Sequence, residues 1–112
     1  MAAGLGSSAA LSVASGLALS SFHGRNVSTE ILARIAHKAE ASAQGGRASP
    51  TDTSVSALGG AVIVSSSKIK SLKYRWSVDL ESPDGHKHWD VHSLSIPTSL
   101  SSIPLVIGFT GK

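Results

Sequence analysis

Between Ser8 and Phe22 the apolar positions Leu11, Val13, Ala14, Leu17, Ala18 and Phe22 are interrupted only by serines and Gly16. This pattern predicts a helix from Ser8 to about Phe22, and so little polar surface predicts that the helix is buried. Gly16 in its interior costs up to about 1 kcal/mol against alanine, which implies close packing against a neighbour. Gly24 stands where a C-terminal cap belongs. A second helix is expected from an N-cap at Ser28 to Gln44. Its Ile31, Leu32, Ile35, Ala36, Ala39 and Ala43 would face inward, with Glu30, Arg34 and Lys38 outward. Gly45-Gly46 end it. Glu40 lies near its C-terminus, where the helix dipole disfavours an anion, so its placement needs a reason. A solvated carboxylate and a metal ligand are the two readings.

Ser49, Pro50 and Asp52 then form a near capping box, with Ser49 as N-cap and Pro50 at the first helical position of a short helix ending by Leu58. After Gly59-Gly60 the period changes. Ala61 to Val64 reads as a buried strand, and Ile69, Leu72, Tyr74 and Trp76 as a second, partly exposed one. Val78 to Leu80, the turn Pro83-Asp84-Gly85 and Lys87 to Val91 predict a hairpin. Pro97 to Ser102 is a loop, and Pro104 to Phe109 a last apolar strand.

With 112 residues the chain makes one small domain at most, read here as a single partial domain, residues 1–112. A hydrophobic content of 41% and a charged content of 15% fit a globular protein rather than a disordered one. Aromatics are only 4%, so the core rests on Ala, Val, Leu and Ile. The absence of cysteine excludes disulfides and thiolate metal sites and agrees with a cytoplasmic setting. A net charge of +3, with basic residues scattered outside Lys68 to Arg75, gives no indication of a nucleic-acid partner. Met1 to Ala10 lacks the basic region of a secretory signal, and serines break the following apolar run too often for a membrane span.

The chemistry concentrates at the start. Gly4-Leu5-Gly6-Ser7-Ser8 is a glycine-rich turn feeding a helix. Neither glycine carries a Cβ, so the backbone can turn tightly and approach a ligand. Unpaired N–H groups and the positive end of the dipole make such a helix head a site for an anion, most often phosphate. The competing reading is an ordinary turn in which Ser7 or Ser8 caps a packing helix. No Gly-Lys-Ser/Thr ending is present, so this is not the Walker loop.

Three separated pieces resemble one family. Gly4-Leu5-Gly6-Ser7-Ser8-Ala9-Ala10 is similar to the phosphate-loop motif of the GHMP small-molecule kinases. Glu40, Gln44-Gly45-Gly46, Ala48-Ser49-Pro50-Thr51-Asp52-Thr53 and Gly59-Gly60-Ala61 resemble the archaeal type of mevalonate kinase, as does Leu105 to Gly111. The resemblance implies an α/β fold of two layers, with helices packed on a mixed sheet, as in N-terminal domains of the ribosomal-protein-S5-domain-2-like type. It implies ATP-dependent phosphorylation of the primary hydroxyl of mevalonate in isoprenoid synthesis, with ATP and Mg²⁺ as cofactors. On the same ground Ala3, Gly4, Leu5, Gly6, Ser7, Ser8, Ala9 and Ala10 hold the nucleotide, Ser8 and Glu40 are magnesium ligands, and Asp52 is the catalytic aspartate. The partner is the small-molecule substrate, with no nucleic acid and no membrane; a homodimer is one arrangement open to the full-length protein.

Family members carry a strand and a lysine-bearing segment before this loop, and a second glycine-rich loop with several helices beyond the matched region. The expectation is therefore a fragment of a longer kinase, inactive alone. Galactokinase and phosphomevalonate kinase share the glycine loop and remain alternatives. So does a non-enzymatic metal or interaction module, in which His86, His88 and His92 bind zinc.

Overall fold

The computed structural model describes residues 4–108 and 110–111. Three helices come first: α1 (Ser7–Phe22), α2 (Thr29–Ala43) and α3 (Thr51–Leu58). Three strands follow, β1 (Ala61–Ser65), β2 (Lys73–Ser82) and β3 (Gly85–Leu94), then a single 3₁₀ turn at Thr98–Leu100. The strands form one sheet in the order β1-β3-β2, with both pairings antiparallel where a mixed sheet was expected. The α/β class, helices against one sheet face, holds.

Alternation along the strands sets the core. Trp76 and Val78 of β2, Val91 of β3 and Ala33 of α2 are buried together, flanked by Ala57, Leu58, Val62, Val64 and Trp89. The opposite sheet face carries Ser77, Asp79 and Glu81 across from Asp90, His88 and His86. β2 is longer than expected, because the second strand and the first arm of the hairpin are one element. Ile69 and Leu72 belong instead to a turn closed by the Leu72 N–H on the Ile69 carbonyl at 3.1 Å.

Gly24 caps α1 as expected. Its φ is +65°, its N–H bonds the Ser21 carbonyl, and the Arg25 N–H bonds that of Ser20, which is the Schellman arrangement. A Cβ at Gly16 would lie 3.4 Å from Leu32 Cδ2, the close packing its position implied. Burial of α1 is not as expected. Ala9 and Val13 are its buried residues, while Leu11, Leu17, Leu19 and Phe22 are exposed. The helix packs on α2 and α3 along one side, and among the described residues nothing covers the other.

On α2 the inward stripe is Leu32, Ala33, Ala36, His37 and Ala41, whereas Ile31, Ile35, Ala39 and Ala43 are exposed. Small side chains let α1 and α3 approach closely, and that approach selected the stripe over the larger isoleucines. Ser28 caps α2 as expected, accepting from the Ile31 N–H at 3.3 Å. The final strand is absent: residues 103–108 have no ladder partner among the described residues, and Leu105 and Val106 are exposed. Phe109, the last residue of that expected strand, lies outside the described residues.

Candidate active site at the head of α1

The N-cap of α1 is Gly6, which adopts the left-handed conformation (φ 68°, ψ 26°), and among the described residues no side chain caps the helix. The expected Ser7 or Ser8 cap does not form. The first amides of a helix have no intrahelical acceptor, and among the described residues those of Ser7 and Ser8 have no backbone partner. Ala10 is different: its N–H already donates to the Gly6 carbonyl at 3.0 Å. Ala9 is buried, and Ala3 lies outside the described residues.

Instead of capping its own helix, Ser8 donates its hydroxyl to Glu40 Oε1. This contact is the local reason for a carboxylate near the unfavourable end of α2. Asp52 sits in the first turn of α3, where the dipole favours an anion. A Cβ built on Gly6 would stand 3.3 Å from both Asp52 Cγ and Oδ2. The head of α1 therefore lies beside the first turn of α3, with Gly6 next to Asp52 and Ser8 bonded to Glu40. Gly6→Ala is expected to destabilise the chain by about 1–2 kcal/mol from the left-handed backbone alone. The added methyl must also displace the Asp52 carboxylate. Urea unfolding of the two chains measures this.

The segment leading to Asp52 is tied down on several sides. α3 starts one residue later than expected, with Pro50 in the capping position and no side-chain cap, so the near capping box does not form. Ser49 donates to the Thr51 hydroxyl at 3.2 Å instead, and Thr53 Oγ1 donates to the Pro50 carbonyl at 3.2 Å. Gly46, at φ +80°, lies against Pro83 of the hairpin turn; a Cβ there would be 2.9 Å from Pro83 Cδ. Arg47 pairs with Asp84 at 3.2 Å. His37 Nε2 donates to the Ala48 carbonyl at 2.9 Å in a buried contact. Sequence reasoning missed His37. Its one signal was a histidine on the alanine-rich side of α2, a turn before Glu40.

The histidine cluster resolves differently from the zinc reading. His92 is fully buried, and its Nε2 accepts the Ile69 N–H at 3.1 Å. His86 and His88 lie along the open sheet face among carboxylates. His86 bonds Glu81 at 2.6 Å and Asp79 at 3.1 Å, and His88 bonds Asp79 at 2.8 Å and Asp90 at 3.3 Å. Among the described residues no three His, Asp or Glu side chains are grouped to hold a metal ion.

The Glu81 hydrogen bond chiefly raises the pKa of His86, and that of Asp79 raises His88. The His88 bond lowers Asp79, and the Ser77 hydroxyl lowers Asp90. Stabilisation by the histidines is full below their ordinary 6.5 and fades as pH rises through the raised values. Stabilisation by the carboxylates is full above their ordinary 3.8 and fades as pH falls through the lowered ones. The melting temperature is therefore expected to be higher near pH 6 than at pH 8.5. In the double variant His86→Gln, His88→Gln that difference should shrink, as thermal unfolding at the two pH values would record.

The geometry thus defines a small α/β domain in which the amides at the head of α1 lie near the Asp52 and Glu40 carboxylates. The family model for the GHMP kinases N terminal domain matches residues 1–60. The chain thus belongs to the GHMP kinase family, whose members are ATP-using phosphotransferases acting on small molecules. No curated protein and no solved structure matches it. No helix among the described residues is long and apolar enough to cross a membrane.

Proposed function

We propose that this chain is the phosphate-binding part of a mevalonate kinase of the archaeal type, one partial domain of a larger cytoplasmic enzyme. The observation that carries the reading is the nearness of Asp52 to Gly6, where a Cβ would stand 3.3 Å from the carboxyl group, because it joins a nucleotide-binding loop to an acid that can face the acceptor alcohol. The Ala48-to-Thr53 run favours mevalonate among the family's substrates by resemblance. The exposed apolar side of α1 supports a larger assembly of which this is one piece.

In this reading the backbone at Gly4 to Ser8 cradles the polyphosphate, with the Ser7 and Ser8 amides donating to its oxygens. Phosphoryl transfer depends mainly on positioning and charge neutralisation. Ser8 and Glu40 bring a hydroxyl and a carboxylate oxygen together, hard donors of the kind Mg²⁺ accepts beside water and phosphate. When bound, the ion would neutralise phosphate charge that the amides alone leave unbalanced. Asp52 accepts the proton of the substrate hydroxyl, or orients it, as that oxygen attacks the terminal phosphorus and ADP departs.

Assays of the complete kinase with mevalonate, galactose and phosphomevalonate test the substrate. Mevalonate is the expected acceptor, and preferential turnover of either other compound would transfer the assignment to that kinase. The 112-residue chain alone is expected to show no turnover.

A further inference from the structure

α2 makes two side-chain bonds to neighbouring segments from nearly the same height. Glu40 receives the Ser8 hydroxyl, which fastens the head of α1. His37, three residues earlier, donates from Nε2 to the Ala48 carbonyl at 2.9 Å. Ala48 lies four residues before Asp52, and Pro50 between them is fully buried. We propose that His37 is a positioning residue for Asp52, acting through the Ala48 carbonyl, so that α2 sets the spacing between the phosphate loop and the acceptor-side acid. The role for Asp52 rests on the kinase reading; the tether itself does not.

Burial, direction and redundancy favour this assignment. His37 is only 3% exposed and Ala48 7%, so a carbonyl that loses its donor stays out of water and unsatisfied. A carbonyl can only accept, which places the proton on Nε2. The ring is oriented by an edge-on contact with Trp89 of β3, centroids 6.0 Å apart and planes at 85°. The ion pair on this segment, Arg47 with Asp84, is more than half exposed on both sides and contributes little. His37 is thus the buried hold of α2 on the stretch between the Gly45-Gly46 turn and α3.

Two substitutions separate this role from simple packing. In His37→Gln the side-chain amide can donate from about where Nε2 lies, whereas His37→Met fills similar space without a donor. The measurement is the amide spectrum of the isotope-labelled 112-residue chain, read at Gly6 and Asp52, with Gly24 as a control far from the tether. The tether predicts that His37→Gln keeps the Gly6 and Asp52 resonances in place. It also predicts that His37→Met moves both, or fails to fold where His37→Gln folds, with Gly24 unchanged in any folded variant. Packing alone predicts that methionine serves at least as well as glutamine. Unmoved resonances in His37→Met would overturn the proposal, as would a His37→Gln chain that shifts them equally or does not fold. No nucleotide or turnover enters this readout, so its failure leaves the kinase reading intact, and the converse also holds.

Discussion

Asp52→Asn is expected to lower phosphoryl transfer by the complete kinase about 10²–10⁴-fold, the range for loss of a positioned proton acceptor. The amide keeps the shape and can still hydrogen-bond, so nucleotide affinity should change far less than turnover. Stability should also change little. Asp52 is exposed at the first turn of α3, and a carboxylate there interacts with the helix dipole by roughly 0.3–1 kcal/mol. Rate, nucleotide affinity and unfolding midpoint measured on one preparation separate these effects. A variant that keeps its turnover would remove Asp52 from the chemistry.

Trp76→Ala is expected to be the most damaging change to the fold. The side chain is 4% exposed and packs with Val78, Val91 and Ala33 where β2 meets the helices. Removing a buried tryptophan costs about 3–5 kcal/mol, since transfer energy is lost and a cavity remains. Single domains hold only about 5–15 kcal/mol in total, and a core poor in aromatics has few other large side chains to close the gap. The indole N–H has no partner among the described residues, so its burial there carries a penalty. Trp76→Phe removes that unpaired group with a smaller loss of volume, and should destabilise much less than Trp76→Ala. Urea unfolding followed by circular dichroism measures the order of the three chains.

Local chemistry made much of this legible. Gly24 and Ser28 behave as caps because capping depends on a few neighbouring atoms. The turn at Pro83-Asp84 and the strand pattern from Trp76 to Val91 follow from residues that touch through short loops. Failures arose where a distant partner decides. Ser8 leaves its capping role for Glu40, thirty-two residues away. Ser49 does not cap α3: its hydroxyl donates to Thr51, in a segment where His37 holds Ala48 and Pro50 is buried. The alanine-rich stripe of α2 wins over its isoleucines because two helices close on it, which periodicity alone cannot weigh. Pro104 to Phe109 read as a strand by composition, yet a strand exists only where another supplies its ladder, and residues 104–108 have none among the described residues.

Gly6, Ser8, Glu40 and Asp52 were named from a resemblance spread over separate pieces of chain; the helices set Gly6 beside Asp52 and Ser8 on Glu40. His37 escaped because a lone histidine on a helix has no motif; only its buried bond to Ala48 distinguishes it.

The central claim is that the head of α1 holds a polyphosphate beside Asp52. Titrating the isotope-labelled chain with ATP and Mg²⁺ tests it most directly. Saturable shifts at the amides of Gly6, Ser7, Ser8 and Asp52, with Lys68 to Arg75 unmoved, are the predicted result. Shifts confined to that basic stretch, or none at saturating nucleotide, would contradict it.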